Sequence, residues 1–300
     1  MTSSTLTITY DPSFEFGKVA SAARWIKQDH LVWHTYTPAG PGTISLRRPA
    51  TTRSIIEATA WGPGHRWLIE RADAFVGNHD DVDQFNPPKK LERAWKQRPF
   101  YVGRNDQVWE ELISGVFGQK VQETKAKQSR SLLARNYGVE APGPFPGWVL
   151  PNAERVANMA YHHFHPLGVE RKRAESLLRA AREIQRVPSI VTKSPEEFKQ
   201  RFEKIRGIGP WTTNVVAAKA FGDADAVPVG DYHIPNTVCW ALASEPRGSD
   251  QRMLELLEPF SGHRYRVIRL AKSTGGAPKY GPRLSLTDDG IHRSRPPRSS

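Results

Sequence analysis

Ile205-Arg206-Gly207-Ile208-Gly209-Pro210-Trp211-Thr212-Thr213 is the stretch on which the reading of this chain turns. Two glycines two apart stand directly before a proline at the expected first turn of a helix, where the missing proline N–H costs nothing. The pair predicts a tight hairpin between two helices. Lacking Cβ atoms, such a turn lets a phosphate lie against backbone N–H groups at the positive end of the following helix. Taken alone, Gly-x-Gly reads more simply as a helix–helix turn. Further along, Val227-Pro228-Val229-Gly230-Asp231-Tyr232-His233-Ile234 sets an acid after an apolar run and before an amphipathic helix, where aspartate is a good N-cap. Taken alone, Asp231 is that cap.

Working outward, the periodicity is helical from about residue 85, after the breaker Asn86-Pro87-Pro88-Lys89-Lys90. Trp109, Leu112, Ile113, Val116 and Phe117 share a face, and Leu132 with Leu133 continue an amphipathic segment to a helix stop at Tyr137-Gly138. Ala141-Pro142-Gly143-Pro144-Phe145-Pro146-Gly147 reads as a rigid loop. Helices are predicted near 152–160, 170–186, 195–204, 210–221, 231–243, 250–257 and 262–272. The first hundred residues alternate instead: Leu6, Ile8 and Tyr10, then Leu31, Trp33 and Thr35, then Ile44 and Leu46 after the turn signal Ala39-Gly40-Pro41-Gly42. One helix is expected there, Phe16 to Lys27, and a further strand pair, Ser54–Ala60 with Arg66–Arg71 across Trp61-Gly62-Pro63-Gly64. The expected organisation is an α+β N-terminal domain (antiparallel sheet with helices) over 1–100, an all-α domain over 101–272 and a basic, largely disordered tail over 273–300.

The chain has 300 residues and a net charge of +12, from 43 Lys and Arg against 31 Asp and Glu. From Lys272 onward six cations face only Asp288 and Asp289, so about a third of that excess sits at the C-terminal end. The excess favours a polyanionic partner, nucleic acid before membrane. The single cysteine, Cys239, excludes an intrachain disulfide framework, a zinc ribbon and a four-cysteine iron–sulfur cluster. His162-His163-Phe164-His165 reads as a surface loop, since no cysteine or acid stands at ligand spacing. No stretch approaches the ~18 apolar residues of a membrane span, and Met-Thr-Ser-Ser-Thr-Leu-Thr lacks a signal-peptide pattern. A cytoplasmic location is expected.

Together, Gly207-Ile208-Gly209, Trp211-Thr212 and an aspartate 22 residues after the second glycine resemble the helix-hairpin-helix, Gly/Pro-rich loop and catalytic-aspartate signature (HhH-GPD) of DNA glycosylases. Ile113-Ser114-Gly115-Val116-Phe117-Gly118-Gln119-Lys120-Val121 is similar to that superfamily's Gly-Gln helix facing the minor groove. Leu167-Gly168-Val169-Glu170-Arg171-Lys172-Arg173-Ala174 is similar to its Leu-Gly…Lys-Arg-Ala segment. With Tyr10-Asp11-Pro12-Ser13-Phe14 near the start, the plan over about residues 5–272 resembles the 3-methyladenine DNA glycosylase II branch.

The resemblance implies base-excision repair of double-stranded DNA by a monomer, nucleoid-associated if bacterial, that flips a damaged base out of the stack and hydrolyses its glycosidic bond. Asp231 would face the sugar, either stabilising the oxocarbenium-like transition state or positioning water; both roles stay open. Trp211 and Tyr232 would line the base pocket, Tyr232 alternatively packing internally. Gln119, Lys120, Gly207, Ile208, Gly209 and Thr212 would meet DNA. Bifunctional relatives carry a lysine nucleophile where Trp211 stands, which implies a monofunctional enzyme without strand cleavage; Lys219 is turned by α-helical spacing to another part of the helix. An indole face would attract a cationic alkylated purine such as 3-methyladenine or 7-methylguanine. Three positions depart from the family pattern: Val215 and Leu270-Ala271 where aromatics are frequent, and Lys120 where the minor-groove wedge is often apolar, with Gln119 the alternative wedge. No cofactor is implied beyond a Na+ or K+ ion on the carbonyls of Glu203, Ile205 and Ile208. The competing readings are a non-catalytic hairpin DNA-binding module and a glycosylase of different lesion specificity.

Overall fold

The computed structural model describes residues 2–16, 24–27, 30–188, 194–278, 284–286 and 292–294. Five antiparallel strands open the fold: β1 (Ser3–Thr9), β2 (Arg24–Lys27), β3 (His30–Thr37), β4 (Gly40–Arg47) and β5 (Ile55–Trp61), in the order β1-β5-β4-β3-β2. The β3–β4 turn falls at Pro38-Ala39, one step before the expected signal. Thr37 Oγ1 closes it, accepting the Ala39 N–H at 3.2 Å and donating to the Gly40 carbonyl at 2.8 Å. Register places Leu31 beside Leu46 and Trp33 beside Ile44, so alternate side chains form one apolar face. That face packs on helix α1 (His65–Phe75), where Leu68, Ala72 and Phe75 are buried at helical spacing and Trp33 stacks on Phe75 with centroids 4.9 Å apart.

Two local expectations give way to tertiary structure. Residues 24–27, assigned by periodicity to a helix, form β2, because the edge of β3 offers a ladder (Arg24 opposite Val32, Trp25 opposite Leu31); residues 17–23 of that predicted helix lie outside the described residues. The predicted strand Arg66–Arg71 is α1. Trp67-Leu68-Ile69 is a short apolar run that periodicity alone cannot assign, and the sheet's open apolar face takes it as a helix.

The chain then continues as α2 (Glu92–Gln97), α3 (Val108–Gly118) and α4 (Glu123–Tyr137), with a two-strand ladder, β6 (Val139–Glu140) and β7 (Trp148–Val149), bracketing the Pro/Gly loop. There follow α5 (Ala153–Ala157), α6 (Tyr161–Phe164), α7 (Arg171–Arg186), α8 (Pro195–Phe202), α9 (Pro210–Val216), a π-helical turn (Ala217–Phe221), α10 (Ile234–Ala243), α11 (Asp250–Leu257) and α12 (Arg264–Ser273). His162 and His163 thus sit on a short helix rather than a loop, and among the described residues no three His, Cys, Asp or Glu side chains converge as a metal would require. Among them, too, no helix is long and apolar enough to cross a membrane. Beyond α12, in the stretch expected to be largely irregular, β8 (Leu284–Leu286) pairs antiparallel with β9 (His292–Ser294); the rest beyond residue 278 lies outside the described residues.

Two buried polar anchors fix the sheet and the segment behind it to the helices. Glu110 of α3, 1 % exposed, accepts from Thr35 Oγ1 at 2.6 Å, Trp33 Nε1 at 3.4 Å and Arg130 Nη2 at 3.1 Å. Burial raises its carboxyl above the usual range against the pull of Arg130 and the Thr35 donor. Arg266 of α12, fully buried, bridges both oxygens of Asp80 at 2.6 and 2.8 Å. Around that pair Phe85, Leu91, Phe100 and Val102 share one core with Val238, Leu257, Val267 and Ile268 of α10 to α12.

Candidate active site

The hairpin between α8 and α9 begins with a strong helix start. Ser194 Oγ accepts the Glu197 N–H at 3.2 Å, the Glu197 carboxylate reaches back to the Ser194 N–H, and Pro195 follows. Across the turn, Thr213 Oγ1 donates to Glu203 Oε1 at 2.6 Å and ties α9 to the end of α8. Gly207 has φ +90°, and a Cβ there would lie 2.0 Å from Ser176 Oγ of α7, so both its conformation and its packing require glycine. The second glycine is different. Gly209 has φ −118° and faces open space: a Cβ would meet nothing within 4 Å.

Three side chains from other helices hold this turn in place. Ser176 Oγ and Arg179 Nη1 both donate to the Arg206 carbonyl at 3.2 Å. Gln119, directly after α3, donates its Nε2 to the Gly207 carbonyl and to Thr212 Oγ1, each at 2.9 Å. Gln119 is therefore a latch between α3 and the hairpin. Ile208 and Thr212 are 2 % and 1 % exposed, so their side chains belong to the core and only their backbone is available to a ligand. Lys120 stands exposed beyond Gln119 with φ +55°, a left-handed conformation uncommon for a residue with a Cβ.

Asp231 is brought against α9 by a short loop. Gly230 takes φ +89° and donates its N–H to Asp250 Oδ2 of α11 at 3.0 Å. Asp231 Oδ1 then accepts the N–H groups of His233 and Ile234, both at 2.8 Å, as the helix-start pattern anticipates, while Oδ2 accepts Trp211 Nε1 at 2.8 Å. Burial pushes the carboxyl up, but the Trp211 donor, the two backbone N–H groups and the charge of Lys272 outweigh it and hold Asp231 below its ordinary range. The group is an oriented carboxylate at neutral pH. Trp211 is half-buried, and its Cη2 would lie 3.6 Å from a Cβ at Gly118, at the end of α3. Tyr232 is 83 % exposed and meets His233 edge-on, so it does not pack internally.

Asp250 and Lys272 escape a reading by motif because each acts from a helix distant in sequence. Lys272 closes α12, 41 residues after Asp231, and its charge acts on that carboxylate. Lys219 lies in the π turn that follows α9 and faces Glu111 Oε2 at 3.4 Å.

No family model matches the chain. A DNA-3-methyladenine glycosylase of Bacillus subtilis (strain 168) is 24% identical over 215 residues, which cover 66% of this chain and 70% of that protein. Among solved structures, a 3-methyladenine DNA glycosylase from Archaeoglobus fulgidus superposes with a TM-score of 0.72 at 15% identity, covering 89% of this chain and 97% of the other. An 8-oxoguanine glycosylase/lyase of Clostridium acetobutylicum, bound to double-stranded DNA, gives 0.65 at 11% identity over 87% and 90%. The sheet followed by helices is thus a fold shared with these solved glycosylases, and the sequence is similar to that of a DNA-3-methyladenine glycosylase.

Proposed function

We propose that the protein is a monofunctional DNA glycosylase of base-excision repair that hydrolyses the N-glycosidic bond of flipped-out alkylated purines, the 3-methyladenine and 7-methylguanine class, in duplex DNA. The observation that carries this is the Asp231 carboxylate, ionised and aimed by three N–H donors, one of them from the tryptophan that follows the hairpin. The names of the B. subtilis and A. fulgidus relatives support the lesion class.

Loss of a base leaves positive charge on C1′ and the ring oxygen, and a fixed carboxylate stabilises charge that exists only in the transition state. Because Trp211 and its backbone partners occupy one lone pair on Oδ2 and the accessible side of Oδ1, the remaining Oδ2 lone pair is the one to face the sugar or a water. Trp211 offers no amine where a bifunctional enzyme would need one, so water is the nucleophile. Its ring face suits a cationic purine, a contact of about 0.5 to 2 kcal/mol. The open face at Gly209, with the first-turn N–H groups of α9 behind it, supports a phosphate contact blind to sequence. Lys120 at the tip beyond α3, rather than the latched Gln119, is the side chain free to enter the minor groove, and exposed Tyr232 is placed to meet DNA beside Asp231. The Ile205 carbonyl accepts the Ile208 N–H at 2.9 Å and keeps one lone pair for a monovalent cation shared with the Glu203 and Ile208 carbonyls.

The test is base release from duplex DNA containing 3-methyladenine or 7-methylguanine, followed by strand breakage with and without alkali. Asp231→Asn keeps the shape and the helix-start bonds of one oxygen, and is expected to slow release by on the order of 100-fold or more. Equal release by wild type and Asp231→Asn would reduce Asp231 to a helix cap and favour a non-catalytic DNA-binding module. Strand cleavage without alkali would overturn the monofunctional assignment.

A further inference from the structure

Asp231 is the carboxylate that the proposed hydrolysis uses, and its aim depends on the short loop Gly230-Asp231-Tyr232-His233 that leads into α10. Ahead of Asp231 the loop is fastened to its own helix, through the His233 and Ile234 N–H groups on Oδ1. Behind it stands Gly230 at φ +89°. A glycine adopts positive and negative φ about equally, so its own stereochemistry does not choose this conformation. Packing does not choose it either, because a Cβ on Gly230 would meet nothing within 4 Å.

The contact that does fix it comes from another helix. Asp250 Oδ2 accepts the Gly230 N–H at 3.0 Å, from 20 residues further along the chain. The carboxylate is itself firmly placed. It opens α11 directly after Ser249, whose Oγ accepts the Arg252 N–H at 3.2 Å. One step earlier, Gly248 donates its N–H to Asn236 Oδ1 of α10 at 2.9 Å, and a Cβ on it would lie 2.2 Å from Cys239 Sγ. Val238 of α10 shares a core with Met253 and Leu257 of α11. The start of α11 is thus locked to α10, and Asp250 reaches from there to the residue before Asp231. Its other oxygen, Oδ1, is buried and takes no hydrogen bond among the described residues. A buried oxygen without a donor opposes folding. What Oδ2 holds therefore accounts for this carboxylate better than stability does.

We propose that Asp250 is a positioning residue for base release: by holding the Gly230 N–H it sets the direction in which the Asp231 carboxylate enters the site, and it acts through Asp231 alone. This rests on the glycosylase reading of Asp231 and adds to it a part from a distant helix. A group that stabilises charge only in the transition state works by being aimed in advance. Misplacing such a group by about 1 Å can slow a reaction by about 100-fold. Asp250 accordingly governs the chemical step and leaves duplex binding alone.

The experiment is single-turnover release of 7-methylguanine from a duplex at saturating enzyme, with duplex affinity measured alongside by anisotropy. Asp250→Ala and Asp250→Asn are each placed in the wild-type and the Asp231→Asn background, and all are assayed below the lowest melting temperature of the set. Asp250→Ala is expected to slow release by about tenfold or more, with affinity within about twofold of wild type. Asp250→Asn should restore most of the rate, since its amide oxygen still accepts the Gly230 N–H. In the Asp231→Asn background Asp250→Ala should slow release by less than about twofold, because a residue that acts through Asp231 has nothing left to aim. An equal loss in both backgrounds would make Asp250 a general structural residue and overturn the inference. So would a loss of affinity without a loss of rate, or Asp250→Ala at the wild-type rate. Should Asp250→Ala not fold, Gly230→Ala supplies the same cycle from the other side of the bond, since only the backbone conformation resists its Cβ; an unchanged rate there overturns the inference too. Release of neither 7-methylguanine nor 3-methyladenine by the wild type would overturn the glycosylase reading itself, and this inference with it.

Discussion

Trp211→Phe isolates the indole N–H from the aromatic face. The substitution keeps an aromatic ring and deletes the 2.8 Å donor to Asp231 Oδ2. A hydrogen bond to a charged acceptor contributes about 1.5 to 3 kcal/mol, and partial exposure of Asp231 reduces that to about 1 kcal/mol. The sign follows from the direction of the shift. Asp231 is depressed in the folded protein, so its ionised form, and the stability linked to it, is present above the unfolded-state value and is lost as pH falls through the folded one. Without the indole donor the folded value rises. The acid limb of kcat/KM for 7-methylguanine release should therefore move to higher pH, with a smaller loss at neutral pH where the carboxyl stays ionised. A pH–rate profile on both enzymes measures this, and an acid limb identical in the two would refute the claim that the Trp211 N–H sets the ionisation of Asp231.

The two hairpin glycines should separate stability from binding: Gly207→Ala forces φ +90° on a residue with a Cβ and drives it into Ser176, so its melting temperature falls by an amount worth about 2 kcal/mol or more, whereas Gly209→Ala should melt as wild type and lose DNA affinity in a filter or anisotropy titration. Asp80→Ala strands the buried Arg266 guanidinium and should cost about 3 to 5 kcal/mol in urea unfolding. Lys120→Gln should weaken binding to all duplexes alike and reduce the slope of log affinity against log salt by about one contact's worth, ~0.9; an unchanged slope would remove Lys120 from the DNA surface.

Much of the fold was legible because its signals are local. The Pro210 start of α9 and the alternation of Leu31, Trp33, Ile44 and Leu46 each act within a few residues, and the helices from 153 to 273 fall close to their expected places. The misreadings lie where a distant surface decides. Arg24–Lys27 becomes a strand only because β3 has an edge to pair, and His65–Phe75 becomes a helix only because the sheet needs a cover for Leu31, Trp33 and Ile44. Periodicity over a dozen residues contains neither fact.

The site divides the same way, and the division explains why a motif reads more reliably than a function. Gly207 and Asp231 were visible because backbone conformation and helix capping restrict the residue types that can stand there. Gln119 was visible as a polar residue in the right place, but its partners, the Gly207 carbonyl and Thr212 Oγ1, turn an expected DNA contact into a latch that no spacing rule distinguishes. Lys219 is the extreme case. It stands in a π turn whose Lys219 and Ala220 carbonyls accept the N–H groups of Asn105 and Asp106, more than a hundred residues earlier in the chain. A bulge of that kind survives only where other groups satisfy the backbone it frees, and here the same loop also supplies Asn105 to hold the Glu111 that faces the lysine. Carbonyl capping and ammonium pairing by one short segment make the bulge and the charge a single unit, so removing the Asn105 side chain should perturb the Lys219 direction before it perturbs the fold.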